Sequence, residues 1–337
     1  MPEMTQTAGR RPILRSAVRL ALLLATPEAL ALAPRPGAGA AAAAPGWQPV
    51  ARGIWSLHGE PGDSSAANQG ATSNLLAVRH GTRLWLLGSG PDARYTRRIA
   101  ARLQRLAGGP VTDVIAPWPR AELVLGQAGL SPARCWAHAD VAAVMRVRCP
   151  RCVNRLAERR GRPADPGTAV RLPDHLLQGA RGTLGPFSWQ LLQRGEGTPV
   201  TVWALPRAGL ACAHGLLWGD GPPDLRDAGL AEMVQSTRAL QAWRPQGRPI
   251  HHWLPEQGPW LEAADVAHHL SYWQALEQSV ADAQARGRLP HETDAAAATL
   301  AGLSADRTAH PRHELNRQRV WRLLEDRAFD TDPAPTR

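Results

Sequence analysis

The sequence predicts an α/β protein in which two mixed β-sheets pack face to face between helices, an αββα sandwich. Three observations predict it. His80-Gly81 is a hairpin signal joining apolar runs of strand type at 71–79 and 82–87, so the chain opens on antiparallel strands. Three more apolar runs, 185–193, 199–205 and 210–218, follow one another with no helical pattern between them. Helical patterns lie on either side of them, at 95–106, 139–159, 230–243 and 261–286. A doubly wound domain would instead place a parallel strand after each helix, which the hairpin and the strand triplet fit poorly.

Taken in order, 47–57 (WQPVARGIWSL) alternates enough to form a first strand, and 58–69 is a polar, glycine-containing loop. The helix at 95–106 sets Ile99, Leu103 and Leu106 on one face and arginines on the other. The stretch 111–130 organises the rest. Val111, Val114, Ile115 and Ala116 form a strand that stops at Pro117-Trp118-Pro119, and Leu123, Val124, Gln127 and Leu130 then recur at helical spacing. Two prolines stiffen the turn and remove backbone donors. A strand that ends, turns and feeds a helix marks the mouth of a site in α/β proteins. A short strand at 134–138 leads into the helix at 139–159, with His138 a strand-end residue whose ring is hydrogen-bonded. After a charged loop at 161–167 come the strand triplet, the helix at 230–243, a strand at 249–254 and the helix at 261–286. An alanine-rich mobile segment at 291–309, a last helix at 312–327 and a disordered tail after Phe329 complete the chain.

With 337 residues and 44% hydrophobic content, the chain can build a large core. The formal charge is +10, and every basic residue is an arginine. These arginines are scattered, aromatics make up 5%, and no nucleic-acid reader motif is present, so nucleic acid is not the expected partner. Residues 1–33 read as an export signal: Arg10, Arg11, Arg15 and Arg19 precede a moderately apolar run ending in Ala-Leu-Ala. Arg10-Arg11-Pro12 fits a twin-arginine signal or an ordinary secretory one. The run is too short and interrupted for a membrane span, which places the mature chain in the periplasm or outside the cell. Residues 34–46 are a low-complexity linker, 47–288 the main domain and 289–337 a carboxy-terminal extension. Of the four cysteines, Cys149 and Cys152 form a CxxC inside a helical pattern. There is no second CxxC for a zinc ribbon and no thioredoxin-like strand ahead of it, and an oxidising compartment permits a local disulfide.

The stretch 111–130 resembles the central motif of the metallo-β-lactamase-fold hydrolases, strand–Thr-His-x-His-x-Asp-His–helix. Pro117 and Pro119 stand at its first two histidine positions, Ala121 at the aspartate and Glu122 at the last histidine. Further landmarks follow in the family's order across 47–288. Gly88-Ser89-Gly90 stands at its Asp-Thr-Gly, and Glu196-Gly197-Thr198 at its Gly-His-Thr. Gly215, with His214 one place early, stands at its bridging aspartate. Gln257 in Pro255-Glu256-Gln257-Gly258-Pro259 stands at its final histidine.

The resemblance implies the αββα fold and a zinc hydrolase, with the ligands overwritten. Proline, alanine and glycine offer zinc no side-chain ligand, so no metal or other cofactor is expected. A weak alternative zinc site would use Glu122, His214 and Gln257. The implied function is that of a catalytically silent member acting by binding. Its former metal cleft is lined by Trp118, Arg120, Glu122, His214 and Gln257, with Arg120 and His214 near its rim. Trp118 either fills the old metal cavity as core or touches a ligand. The segment carrying His138, Met145, Cys149 and Cys152 resembles periplasmic metallohydrolases associated with quinoprotein dehydrogenases. That implies such a dehydrogenase as partner, and a Cys149–Cys152 disulfide as a structural clip. The alternative is a hydrolase with relocated chemistry, for which His58 with Glu60 or Asp63 is the candidate acid–base group. His251-His252 on a strand and His268-His269 on a helix diverge and cannot share a site.

Overall fold

A computed structural model of the chain describes residues 46–290, 292 and 309–331. The expected export signal, nearly all of the linker, nearly all of the 291–309 segment and the last six residues of the expected tail lie outside the described residues.

The first sheet has seven strands in sequence order: β1 Gln48–Ala51, β2 Ile54–Leu57, β3 Leu75–His80, β4 Arg83–Leu87, β5 Asp113–Ile115, β6 Arg134–His138 and β7 His175–Leu177. β1 to β4 are antiparallel. β4 to β7 are parallel. The parallel part is crossed by α1 Ala93–Ala107, by α2 Ala121–Val124 with a 3-10 turn at Leu125–Leu130, and by α3 Ala139–Arg160. The second sheet has six strands, β8 Arg181–Leu184, β9 Phe187–Gly195, β10 Thr198–Leu205, β11 Leu210–Ala213, β12 His252–Pro255 and β13 Leu261–Glu262, again neighbours in sequence order. Its one parallel pair, β11 with β12, is bridged by α4 Leu230–Ala242. α5 Ala263–Ala285 and α6 Pro311–Thr331 follow. Among the described residues no helix is long and apolar enough to cross a membrane.

The sheets face each other through Leu76, Val78, Trp85 and Leu87 on one side and Phe187, Trp189, Trp203 and Cys212 on the other. The alternate residues, Leu75, Ala77, Leu84 and Leu86, join the helix-side core with Ile99, Leu103, Val141 and Met145. Strands buried on both faces read as unbroken apolar runs, which is why β3, β4 and β10 were legible.

Four details depart from the sequence expectations. The first strand is a hairpin, β1–β2, turned at Gly53 with φ +73°. Leu106 is 55% exposed, and Ala107 takes its place on the buried face of α1. The helix after Pro119 gives way to a 3-10 turn, because its glycines press against α1. A Cβ on Gly126 would stand 1.9 Å from Thr96 Oγ1, and one on Gly129 would stand 2.5 Å from the Ala93 carbonyl oxygen. The run at 210–218 stops being a strand at Ala213, two residues before Gly215 with φ +77°. The short strands β7 and β8 carried no sequence signal of their own.

The carboxy-terminal helix belongs to the same body. Val320 and Trp321 of α6 are buried. Asn316 accepts from the Leu225 N–H and donates to the Pro223 carbonyl, clamping the loop between β11 and α4.

Candidate functional site

The carboxyl ends of β5, β11 and β12 converge, the place where α/β folds hold ligands. Three turns meet there: Pro117-Trp118-Pro119-Arg120, His214-Gly215 and Glu256-Gln257-Gly258. Thr201 of β10 ties the first turn to the second sheet, donating to the Pro117 carbonyl from both N–H (2.8 Å) and Oγ1 (2.9 Å).

At the meeting point sits Glu256, fully buried. Its Oε2 accepts from Trp118 Nε1–H and from the Gly215 N–H, each at 3.0 Å. Its Oε1 accepts from Ser73 Oγ at 2.5 Å and lies 3.6 Å from Arg120 Nε. Arg120 Nε donates to Glu122 Oε2 at 3.2 Å, and the Ser64 hydroxyl donates to Glu122 Oε1. A second buried arginine, Arg194 at the end of β9, lays its guanidinium 4.4 Å from the Trp118 ring centroid. Its donors go to the carbonyls of Gly215, Arg226 (3.0 Å) and Asp224 (2.8 Å).

The charges in this cluster set one another. Burial pushes the Glu122 carboxyl up, but the Arg120 charge and the Ser64 hydroxyl outweigh it and hold it below the usual range. Burial pulls Arg120 down, but the Glu122 and Glu256 charges leave it raised. The Arg194 hydrogen bonds go to carbonyls rather than carboxylates, and burial brings it down to about 10.

Trp118, Arg120 and Glu122 line one cavity of about 110 Å³. Arg194, Asp224, Arg226 and Asp227 complete its floor and side, and α3 contributes Cys152, Arg155, Leu156 and Arg159. The other two expected residues lie outside it. His214 is fully buried rather than at the rim, because Gly215 turns the chain inward there. Its Nε2–H donates to the Asn74 carbonyl at 2.8 Å, its Nδ1 has no partner among the described residues, and burial depresses its pKa. Gln257 donates to the Gly62 carbonyl at 3.0 Å and accepts from Arg312 at 3.3 Å. Gly197 is the exposed β9–β10 hairpin turn, with open space beyond its Cα. Arg194, not Gly197, reaches the cleft from that hairpin.

Other expectations find their places. His138 donates from Nε2 to the Gly179 carbonyl and accepts the Asp140 N–H on Nδ1, capping α3. His58 bonds the Gly258 carbonyl at 3.0 Å, Asp63 pairs with Arg226 at 2.8 Å, and Glu60 is exposed. His269 is buried and His268 exposed. Cys149 and Cys152 are both free thiols, Cys149 buried and Cys152 half-buried.

The residues in this cleft do not fit a zinc ion. Glu122 and Glu256 are already bonded to Trp118, Ser73, Ser64, Gly215 and Arg120. A Cβ on Gly215 would stand 3.0 Å from Arg194 Cδ and 3.2 Å from the Trp118 ring, so tryptophan and arginine fill the space of a ligand there. Among the described residues, no group of three or more His, Cys, Asp and Glu side chains can hold a metal ion.

Glu256, Ser73 and Arg194 are the residues that sequence reasoning missed. Glu256 adjoins Gln257 in a motif whose ligand position is the one that the resemblance marks. Arg194 was visible only as a charge closing an apolar run.

No protein-family model matches the chain, and no curated protein matches it in sequence. Solved structures do match in shape. A metallo-β-lactamase from Pontibacter korlensis aligns with TM-score 0.53 at 15% identity, covering 68% of this chain and 98% of that one. The metallo-β-lactamase FIM-1 from Pseudomonas aeruginosa, in its mono-zinc form, aligns with TM-score 0.53 at 18% identity over 68% and 94%. A metallo-β-lactamase from Erythrobacter litoralis aligns with TM-score 0.50 at 17% identity over 68% and 95%. The chain has the metallo-β-lactamase fold.

Proposed function

We propose that this metallo-β-lactamase-fold chain acts by binding, without metal-dependent hydrolysis, and that its ligand is a small anion held in the arginine-lined cavity. One observation carries the reading. The space beside the old ligand positions is taken by a cluster of Trp118, Glu256, Arg120, Glu122 and Arg194 whose hydrogen bonds are satisfied, and the open cavity next to it is basic. Five arginines line that cavity against three acids. Arg155 and Arg159 are exposed there, and neither forms an ion pair or hydrogen bond among the described residues. Its volume is somewhat below the ~150 Å³ of a cavity that admits benzene, so it suits a carboxylate, sulfate or phosphate group with a few attached atoms. Planar guanidinium groups match such anions in geometry as well as charge.

We place this binding in the periplasm or outside the cell, on the export-type amino terminus. A protein partner such as a quinoprotein dehydrogenase belongs to the same proposal. The test is thermal unfolding of purified protein in low salt with inorganic phosphate, sulfate or a short carboxylate. A ligand at one hundred times its Kd adds about 2.7 kcal/mol, a shift of several degrees. The expected result is a saturable rise in Tm that the double variant Arg155→Ala/Arg159→Ala abolishes. No rise with any of the three anions, or stoichiometric zinc that survives dialysis, overturns the reading.

A further inference from the structure

We infer that Cys149 and Cys152 are a reversible dithiol–disulfide pair, with Cys152 the attacking sulfur at the cavity wall and Cys149 the resolving sulfur behind it. The two lie three residues apart on α3. Helix geometry puts Cα atoms at that spacing about 5 Å apart, inside the roughly 4.4–6.8 Å range of disulfides. Pro150 stands between them and has no N–H, so the backbone bond from residue 150 to the Arg146 carbonyl is missing where the helix must yield. The pair is asymmetric. Cys152 is half-buried and lines the cavity, while Cys149 is fully buried in the core. Cys152 donates its S–H to the Arg148 carbonyl at 3.5 Å. Interaction with the Cys149 thiol foremost, with Arg155 and Arg148, lowers Cys152 against burial and the Glu122 charge. The same interaction, with burial, raises Cys149. A thiolate beside arginines is the form that attacks disulfides.

The co-reactant is a low-molecular-weight disulfide. The Cys152 thiolate attacks one of its sulfurs, the S–S bond breaks, and the departing thiolate takes up a proton. Cys149 then loses its proton to water and attacks the Cys152 sulfur, and the second half leaves as a thiol. The protein loses two electrons and two protons, and the disulfide is reduced to two thiols. The choice of an anionic disulfide rests on the anion-binding reading; the pairing of the cysteines does not.

The test uses the full chain, reduced, then exposed to glutathione disulfide (anionic) or cystamine (cationic), quenched by alkylation and mapped by mass spectrometry. The expected product is a Cys149–Cys152 bridge, reversed by dithiothreitol, with Cys135 and Cys212 left as thiols. Those two are controls: both are buried, and burial raises both. In Cys149→Ser, or in Cys149→Ala should serine disturb the core, the reaction stops with one glutathione on Cys152. The bridge should form at least threefold faster with glutathione disulfide than with cystamine at low salt. Alkylation of both cysteines in the wild-type chain after either oxidant overturns the pair. Bridging at equal rates leaves the pair standing and counts against the anion reading alone.

Discussion

Replacing Glu256 separates what its charge contributes from what its hydrogen bonds contribute. In Glu256→Ala, Trp118 Nε1–H, the Gly215 N–H and Ser73 Oγ lose their acceptor. Each buried group left unsatisfied costs roughly 1–3 kcal/mol. Arg120 keeps Glu122 but loses its second carboxylate, and stripping one partner from a buried ion pair costs about 3–5 kcal/mol. Shared relaxation keeps these from adding fully, so about 5 kcal/mol is expected. Glu256→Gln is different. The amide oxygen can still accept from Trp118 and Gly215, and the amide nitrogen can donate to Ser73 Oγ. Only the charge facing Arg120 at 3.6 Å is gone. Its Coulomb value is about 4–5 kcal/mol at an effective dielectric near 20, and the relief of desolvation offsets about half, leaving roughly 2 kcal/mol. Urea unfolding followed by tryptophan fluorescence measures both. In thermal melts, alanine should lower Tm by roughly 10–20 °C and glutamine by roughly 4–8 °C. Two variants that cost the same, or an alanine variant costing under about 1 kcal/mol, would refute the view that Glu256 holds the three turns together.

Arg194→Lys keeps a charge but can satisfy only part of the fork that reaches the carbonyls of Gly215, Arg226 and Asp224. A loss of about 3 kcal/mol in chemical denaturation is expected, and a loss below about 0.5 would show that the fork contributes little. Stability should also fall on acidification in two stages. Burial depresses His214 below its ordinary 6.5, so the unfolded chain takes up the proton first, and stability present above pH 6.5 declines below it. The slope is about 1.4 kcal/mol per pH unit for each such group. Glu122 has a folded pKa below its ordinary 4.5, so its contribution is present above pH 4.5 and is lost as pH falls further. Melting temperatures from pH 7 to 4 read this out; a flat profile between 6.5 and 5, or one that His214→Gln leaves unaltered, contradicts it.

The layers were legible because both sheets are buried on two faces. A buried strand cannot hide its apolar run, and the hairpin at His80-Gly81 fixed the antiparallel opening. The turn at 117–120 was legible for a different reason: proline restricts the backbone locally, whatever packs against it. Cleft residues were legible only where they lie in the turn itself. Trp118, Arg120 and Glu122 come from one short segment, and the structure keeps them together. His214 and Gln257 come from other turns, each followed by a positive-φ glycine, Gly215 and Gly258, and their partners Asn74, Gly62 and Arg312 lie far away in the chain. Glu256 joins β12 to a serine 183 residues earlier in the chain and a tryptophan 138 earlier, a separation no local pattern encodes. Arg194 looked like the end of a strand because its partners are carbonyls, which leave no mark in a sequence.

The replacements depend on one another, and this carries the functional reading. An aspartate at position 215 would be strained at φ +77° and would crowd Trp118 and Arg194, whose atoms stand 3.0–3.2 Å from where its Cβ would be, so they would have to shift. Removing Trp118 to make room would strip a donor from buried Glu256. Arg120 and Arg194 bring two positive charges, and Glu122 and Glu256 bring two negative ones, so the cluster balances without an ion. A cleft that had merely lost its ligands would leave buried polar groups unpaired. Here most are paired, and the unpaired cations stand at the rim, on α3, as Arg155 and Arg159. A cluster that is neutral inside and basic at its mouth is what the proposed anion binding needs.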